Sequence, residues 1–329
     1  MHNRHPFVRL PASACRYAAA LLIGLPVSSL ATAAAGAQPT PPATTARRLS
    51  AGDIDALPLR EPGQRIAYGT DSLHVGEWRW PAQLPPGGRA PVAIVIHGGC
   101  WTAAFATLRN TAPLADALAD AGVATWNVEY RRSDSPGGGW PGTLTDVAEA
   151  ADYLRVLARQ YPIDTTRIVA VGHSAGGQLA LWLASRRTLP RESAVYRASP
   201  LPVHGVVSLG GITDLEEFSQ RMATGCGRGV PPLLGGAPAT VPDRVALASP
   251  IRRLPLGVPT VHIAGGQDAI APDSVREAYR RAAAAAGDPP AANVTVPGGH
   301  FEVIAPGTEA GATVVRMVRA LLGLTPPER

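Results

Sequence analysis

Residues 172–176 read Gly172-His173-Ser174-Ala175-Gly176, a G-x-S-x-G run directly after the apolar stretch 168–171. A serine hydroxyl is a weak nucleophile until a base takes its proton and donors stabilise the oxyanion it creates. Strand, tight turn and helix in succession form a nucleophile elbow. The turn holds its central residue in a strained conformation and lifts Ser174 Oγ clear at the carboxyl edge of a sheet. The N–H groups that follow, Ala175 first, point at the same place. A glycine-rich turn that merely contains a serine is the competing explanation. The rest of the chain decides between them.

Three further pieces matter. His97-Gly98-Gly99-Cys100-Trp101 follows an apolar run ending at Ile96. Two glycines there let the backbone turn inward and present N–H groups, so Gly99 or Cys100, together with Ala175, is expected to supply the oxyanion donors. Asp268 follows a strand pattern and the turn Gly265-Gly266-Gln267, where an acid can orient a histidine and stabilise its imidazolium form. Asp273, in Pro272-Asp273-Ser274, reads instead as a helix start. His300, in Gly298-Gly299-His300-Phe301, follows the last strand pattern and is the natural general base. His97 and His173 sit beside glycine turns as scaffolding, and His74, His204 and His262 read as structural or exposed.

The elements that must position these groups alternate regularly. Residues 71–80 alternate as an edge strand with Val75, Trp78 and Trp80 toward a core, and Pro85-Pro86-Gly87-Gly88 marks a turn. The continuous apolar run at 92–96 predicts a strand buried on both faces, and 123–128, 168–171, 206–209, 259–264 and 293–296 read as further strands. Helical spacing is expected near 105–121, 144–158, after Ala175, over 274–286 and over 310–322. Repeated β-α alternation means an α/β fold with a mostly parallel sheet and helices on both faces. Residues 212–255, rich in Gly and Pro, lack periodicity and are expected to form a small cap in which Phe218, Met222, Leu233 and Leu234 line an acyl pocket or pack the core. Trp101, beside the oxyanion loop, is the better candidate for a pocket wall.

The chain order Ser, Asp, His, with these motifs in register, resembles the α/β-hydrolase fold across about residues 65–325. H-G-G-x-W, then Glu129-Tyr130-Arg131, then Gly-Trp-Pro and Asp146, resemble the bacterial esterase/lipase branch, with its kynurenine-formamidase-like and hormone-sensitive-lipase-like enzymes. The resemblance implies Ser174 as nucleophile, His300 as base and Asp268 as orienting acid. It implies an oxyanion hole drawn from Gly98, Gly99, Cys100 and Ala175, with Arg131 and Asp146 as a structural ion pair. The lipase-type loop usually carries a third glycine where Cys100 stands, which leaves the donor open by one residue.

The N-terminus carries its own signal. Arg4, Arg9 and Arg16 flank or precede the apolar stretch 17–30, which is too short and broken to span a membrane, and Ala35-Gly36-Ala37 fits a cleavage site. Residues 1–37 therefore read as a signal peptide, 38–52 as a flexible linker and 53–329 as one domain, exported to the periplasm or beyond. The net charge of the whole chain is +5, but residues 1–37 hold three arginines and no acid, so the remainder carries +2. That balance, without a basic block, gives no support to a nucleic-acid partner, and none is expected. After export, Cys100 and Cys226 can pair across the oxyanion loop and the cap, or stay as two small apolar residues. No H-E-x-x-H, no paired-cysteine motif and no phosphate loop appear, and no cofactor is implied. The expected substrate is a small ester or amide. The expected activity is carboxylesterase-like, with an arylformamidase, a single-domain serine peptidase and a hydrolase-fold binding protein as alternatives.

Overall fold

The structure, a computed structural model, describes residues 47–61, 64–84 and 88–324. The expected leader, the linker up to residue 46 and residues 85–87 of the expected turn lie outside the described residues. Eight strands form one sheet: β1 (Gln64–Ala67), β2 (Val75–Arg79), β3 (Ala90–Ile96), β4 (Ala124–Val128), β5 (Ile163–His173), β6 (Val206–Leu209), β7 (Thr260–Gly265) and β8 (Ala291–Val296). They lie in the order β1-β2-β4-β3-β5-β6-β7-β8. The pairings of β1 with β2 and of β2 with β4 are antiparallel, and the rest are parallel. The 71–80 segment is thus the second strand in, not the edge. It is fully buried where it pairs on both sides, and the half-exposed β1 takes the edge.

The helices are α1 (Ala51–Asp55), α2 (Ala112–Asp120), α3 (Gly142–Asp152), α4 (Leu154–Gln160), α5 (Ala175–Ser185), α6 (Leu215–Arg221), α7 (Val230–Leu234), α8 (Pro242–Ala248), α9 (Asp273–Ala285) and α10 (Glu309–Leu321). Side chains of a strand alternate between faces, so the continuous apolar runs feed two separate cores. Val92, Ile94 and Ile96 of β3 face α3, α5 and α9 through Leu144, Val147, Leu179 and Tyr279. Ala93 and Val95 face α2 and α10 through Leu114, Leu118, Val314 and Val318.

Two boundaries differ from the sequence reading. The helix expected over 105–121 begins only at Ala112, because Thr107 caps a short 3₁₀ turn before it. The structured chain begins before Asp53: Ser50 N-caps α1, its hydroxyl accepting from the Asp53 N–H while the Asp53 carboxylate accepts from the Ser50 N–H. Ile54 then drops into the α2/α10 core. Residues 47–52, though mostly exposed, are therefore the ordered start of the domain rather than linker.

Candidate active site

Every group singled out for chemistry lies at the carboxyl end of a parallel strand. β5 ends at His173 and α5 starts at Ala175, so Ser174 alone makes the turn, at φ 56° and ψ −120°. That is the strained left-handed side of the map for a non-glycine residue. The flanking glycines are required by close approach: a Cβ at Gly172 would stand 2.0 Å from the Gly176 carbonyl oxygen, and one at Gly176 would stand 2.2 Å from that of Ile96.

After β3 the chain continues left-handed through Gly99, Cys100 and Trp101, at φ 96°, 51° and 57°. Cys100 thus adopts the conformation a glycine would take more cheaply. Two supports hold it there. Below the loop, Glu129 receives His97 Nε2 at 2.8 Å and the Leu108 N–H at 3.2 Å, and the Tyr130 hydroxyl donates to the His97 carbonyl at 2.9 Å. Burial would raise the Glu129 pKa, but His97, Arg132 and the Tyr130 N–H outweigh it and lower it to about 2. Beside the loop, Cys100 is disulfide-bonded to Cys226, their Cα atoms 5.3 Å apart. The N–H groups of Gly99, Cys100 and Ala175 donate to no protein acceptor among the described residues.

On the far side, His300 Nδ1–H donates to Asp268 Oδ2 at 2.8 Å, which leaves Nε2 uncommitted. The second carboxylate oxygen accepts the N–H groups of Ile270 and Ala271. Burial pushes the Asp268 pKa up, but the His300 contact and these two donors outweigh it and hold the carboxyl below its usual range. His173 lies beneath, its ring centroid 4.5 Å from that of His300. Burial first, then the neighbouring imidazole, lowers its pKa to about 3, so it is a neutral ring whose Nε2–H donates to the His300 carbonyl at 2.9 Å.

Gly99, Cys100, Ser174, Asp268 and His300 line one cavity of about 700 Å³, with Gly98 and Ala175 adjoining Ser174. Trp101 does not line it. The left-handed turn swings the indole inward, where it is fully buried, donates to Gln178 Oε1 at 3.1 Å and packs edge-on against Phe218. The expected pocket wall is a core residue. Phe218, Leu233 and Leu234 are likewise buried core, and of the 212–255 segment only Cys226 reaches the cavity. The facing wall comes instead from residues 47–51, Phe105, Ala106 and Ile270. Asp146, fully buried, pairs with Arg131 and with His74, as a structural role for the pair requires.

Two residues the sequence did not flag support the site. Gly210, at φ 54°, follows β6 where a Cβ would come within 2.6 Å of Asp268 Oδ2 and 2.8 Å of His300 Nδ1. The buried carboxylate of Glu302 accepts the Gly299 N–H at 2.8 Å with one oxygen and the Leu49 N–H at 2.7 Å with the other. An acid inside the apolar run Phe301-Glu302-Val303-Ile304 was its only sequence signal. Among the described residues no cluster of three or more His, Cys, Asp or Glu could hold a metal ion, and no helix is long and apolar enough to cross a membrane.

The BD-FAE family model matches residues 83–277, more than half of the chain, from ahead of the oxyanion loop to beyond Asp268. The chain belongs to the BD-FAE family. Among curated relatives, the probable carboxylic ester hydrolase LipM of Mycobacterium tuberculosis (strain ATCC 25618 / H37Rv) is 31% identical over 160 residues, 48% of this chain and 36% of LipM. Esterase LipQ of the same organism is 29% identical over 163 residues, 47% of this chain and 38% of LipQ. The chain thus matches little more than a third of the length of either. Among solved structures, a truncated form of a carbohydrate esterase from gut microbiota superposes with a TM-score of 0.66 at 24% identity, over 79% of this chain and 95% of that one. A propionate-bound thermophilic esterase from Thermogutta terrifontis gives 0.64 at 19%, over 81% and 97%. The sheet order, the helices on both faces and these likenesses establish the α/β-hydrolase fold of the esterase/lipase branch.

Proposed function

We propose that this BD-FAE family member is an exported serine hydrolase that cleaves carboxylic esters through Ser174, His300 and Asp268. The observation that carries the reading is the left-handed Ser174 on a cavity it shares with an imidazole whose Nδ1 is committed to a buried carboxylate. In this reading Ser174 Oγ attacks the carbonyl carbon while His300 Nε2 takes its proton. The oxyanion that forms is met by the N–H groups of Ala175 and of Gly99 or Cys100. Collapse of the tetrahedral adduct breaks the bond to the alcohol, which leaves with the proton from His300. Water, deprotonated by the same imidazole, then hydrolyses the acyl-enzyme. Export is supported by the leader pattern in residues 1–37 and by the Cys100–Cys226 bridge, which suits an oxidising compartment.

The test is hydrolysis of p-nitrophenyl esters from acetate to palmitate by the protein and by Ser174→Ala. Turnover that disappears in the variant supports the reading, and the chain-length profile sizes the cavity. Failure on every ester overturns it and directs the assay to N-formylkynurenine and aminoacyl amides.

A further inference from the structure

The cavity has a charged wall that its chemistry does not use. Arg47 and Arg48 both line it, yet they differ in what they face. The Arg47 guanidinium is held by both oxygens of Asp53, whose pKa it pulls well below the ordinary value. Arg48 has neither a hydrogen bond nor an ion pair to any described residue. Its stem lies over the catalytic turn: a Cβ on Gly299, next to His300, would stand 3.2 Å from Arg48 Cδ. The carboxylates nearest this wall are already committed, Asp268 to His300 and Glu302 to two backbone donors. Much of the remaining wall is apolar, from Phe105, Ala106, Ile270 and Phe301. Although the Glu302 and Asp268 carboxylates keep their charges nearby, the Arg48 guanidinium therefore stands beside an apolar cavity with its N–H donors free of any described acceptor.

That charge is held in place. Leu49, the next residue, is fastened to Glu302, and the same carboxylate fastens the turn that carries His300. Ser50 caps α1 and Ile54 is buried after Arg48, and Arg47 before it is paired with Asp53. We infer that residues 47–51 are the specificity wall of the cavity and that Arg48, presented by the Glu302 latch, selects esters carrying an anionic group. The inference rests on the ester-hydrolase reading and names its substrate class. An arginine fork recognises a carboxylate, phosphate or sulfate through paired N–H donors.

The experiment compares matched esters that differ only in charge. On the acyl side the pair is mono-p-nitrophenyl glutarate against p-nitrophenyl pentanoate. On the leaving-group side it is 3-acetoxybenzoate against 3-acetoxybenzamide. The readout is the ratio of kcat/KM, anionic over neutral. Both members of a pair pass through the same serine and imidazole, so damage to the chemistry cancels and only the wall's preference remains. In at least one pair, Arg48→Glu is expected to lower the ratio about tenfold, and added salt to erode it in the parent protein. Glu302→Gln is expected to shrink roughly threefold the change that Arg48→Glu makes in this ratio, a coupling from which the loss of the Glu302 charge itself cancels. Ratios that Arg48→Glu does not shift in either pair overturn the inference while leaving the esterase reading intact. A change on Arg48→Glu that is as large with Glu302→Gln as in the parent overturns the latch. Absence of hydrolysis of all four esters overturns the esterase reading, and this inference with it.

Discussion

The floor of the cavity and its wall are built in different ways. The floor is made where parallel strands end: the oxyanion loop after β3, the elbow after β5, Gly210 after β6, Asp268 after β7 and His300 after β8. Each is a short turn whose course is fixed by its own strand and by backbone or side-chain contacts closer than a Cβ would allow. Besides Phe105, Ala106 and Ile270, the wall draws on two segments remote in sequence, residues 47–51 and the Cys226 turn, and each is tied to the floor by few bonds. For the strap the tie is the Glu302 carboxylate, and for the turn it is a disulfide. A rigid floor and a fastened wall allow selection to change without disturbing chemistry. Substitutions in the floor should fall on kcat, and those in the wall on KM and on substrate ratios.

The largest expected effect lies in the floor. Asp268→Asn keeps the size of the side chain but presents an amide to His300 Nδ1 and loses the carboxylate that orients the ring. It should lower kcat on the order of 10³–10⁴-fold with KM nearly unmoved. A loss of under tenfold in steady-state assays would mean that Asp268 is not the orienting acid. Gly210→Ala comes next. The new methyl group would press on both members of the Asp268–His300 pair at a left-handed position, so a kcat loss of roughly 10² is expected from displacement alone. If kcat holds, the pair is less confined than the geometry implies.

The wall should respond less in chemistry and more in stability. The Cys100–Cys226 bridge closes a separation of 126 residues, and its removal by a Cys226→Ser and Cys100→Ser double change should cost about 2–5 kcal/mol of stability. Cys100 also keeps its left-handed φ inside the oxyanion loop, so kcat should fall by about tenfold as that loop relaxes. Thermal unfolding and ester turnover on the same sample separate the two effects. An unchanged melting temperature with full turnover would show that Glu129 and Tyr130 alone hold the loop.

Most of the floor could be read from the chain, and most of the wall could not. The elbow was legible because its glycines are demanded by local contacts, and local demands leave their mark on five consecutive residues. Asp268 and His300 were legible because strand-then-turn punctuation gave their place in the order. Trp101 misled because adjacency in sequence says nothing of direction: two successive left-handed residues turn its indole into the core. The cap segment had no periodicity to read, since α6, α7 and α8 are five to seven residues long and two of them open on prolines. The strap was hidden by the Pro, Thr and Ala composition just ahead of it. Ser50 and Asp53, at capping-box spacing, were the mark of its ordered start. Nothing in a sequence announces that Glu302 will meet Leu49 from 253 positions away.

The smallest expected effect guards the comparison against a confusion with acid unfolding. His262 lies on β7, away from the cavity, with its ring 4.5 Å from that of Tyr279 and its Nε2 buried without a partner. Burial first, then the charge of Arg276, lowers its pKa from 6.5 to about 3. The unfolded chain therefore binds a proton that the native state refuses between those two values. Stability is fully present above pH 6.5 and is lost progressively as the pH falls toward 3. His173, neutral for the same reason, adds a parallel loss within the floor. His262→Gln removes one of the two contributions without touching the site. Its melting temperature should fall by a few degrees less than that of the parent between pH 7.5 and 4.5. Parallel curves would place the acid lability elsewhere, with His173 as the next substitution to make. A flatter curve would show that activity lost below pH 6.5 mixes unfolding with titration of the floor, so wall preferences must be compared above that value.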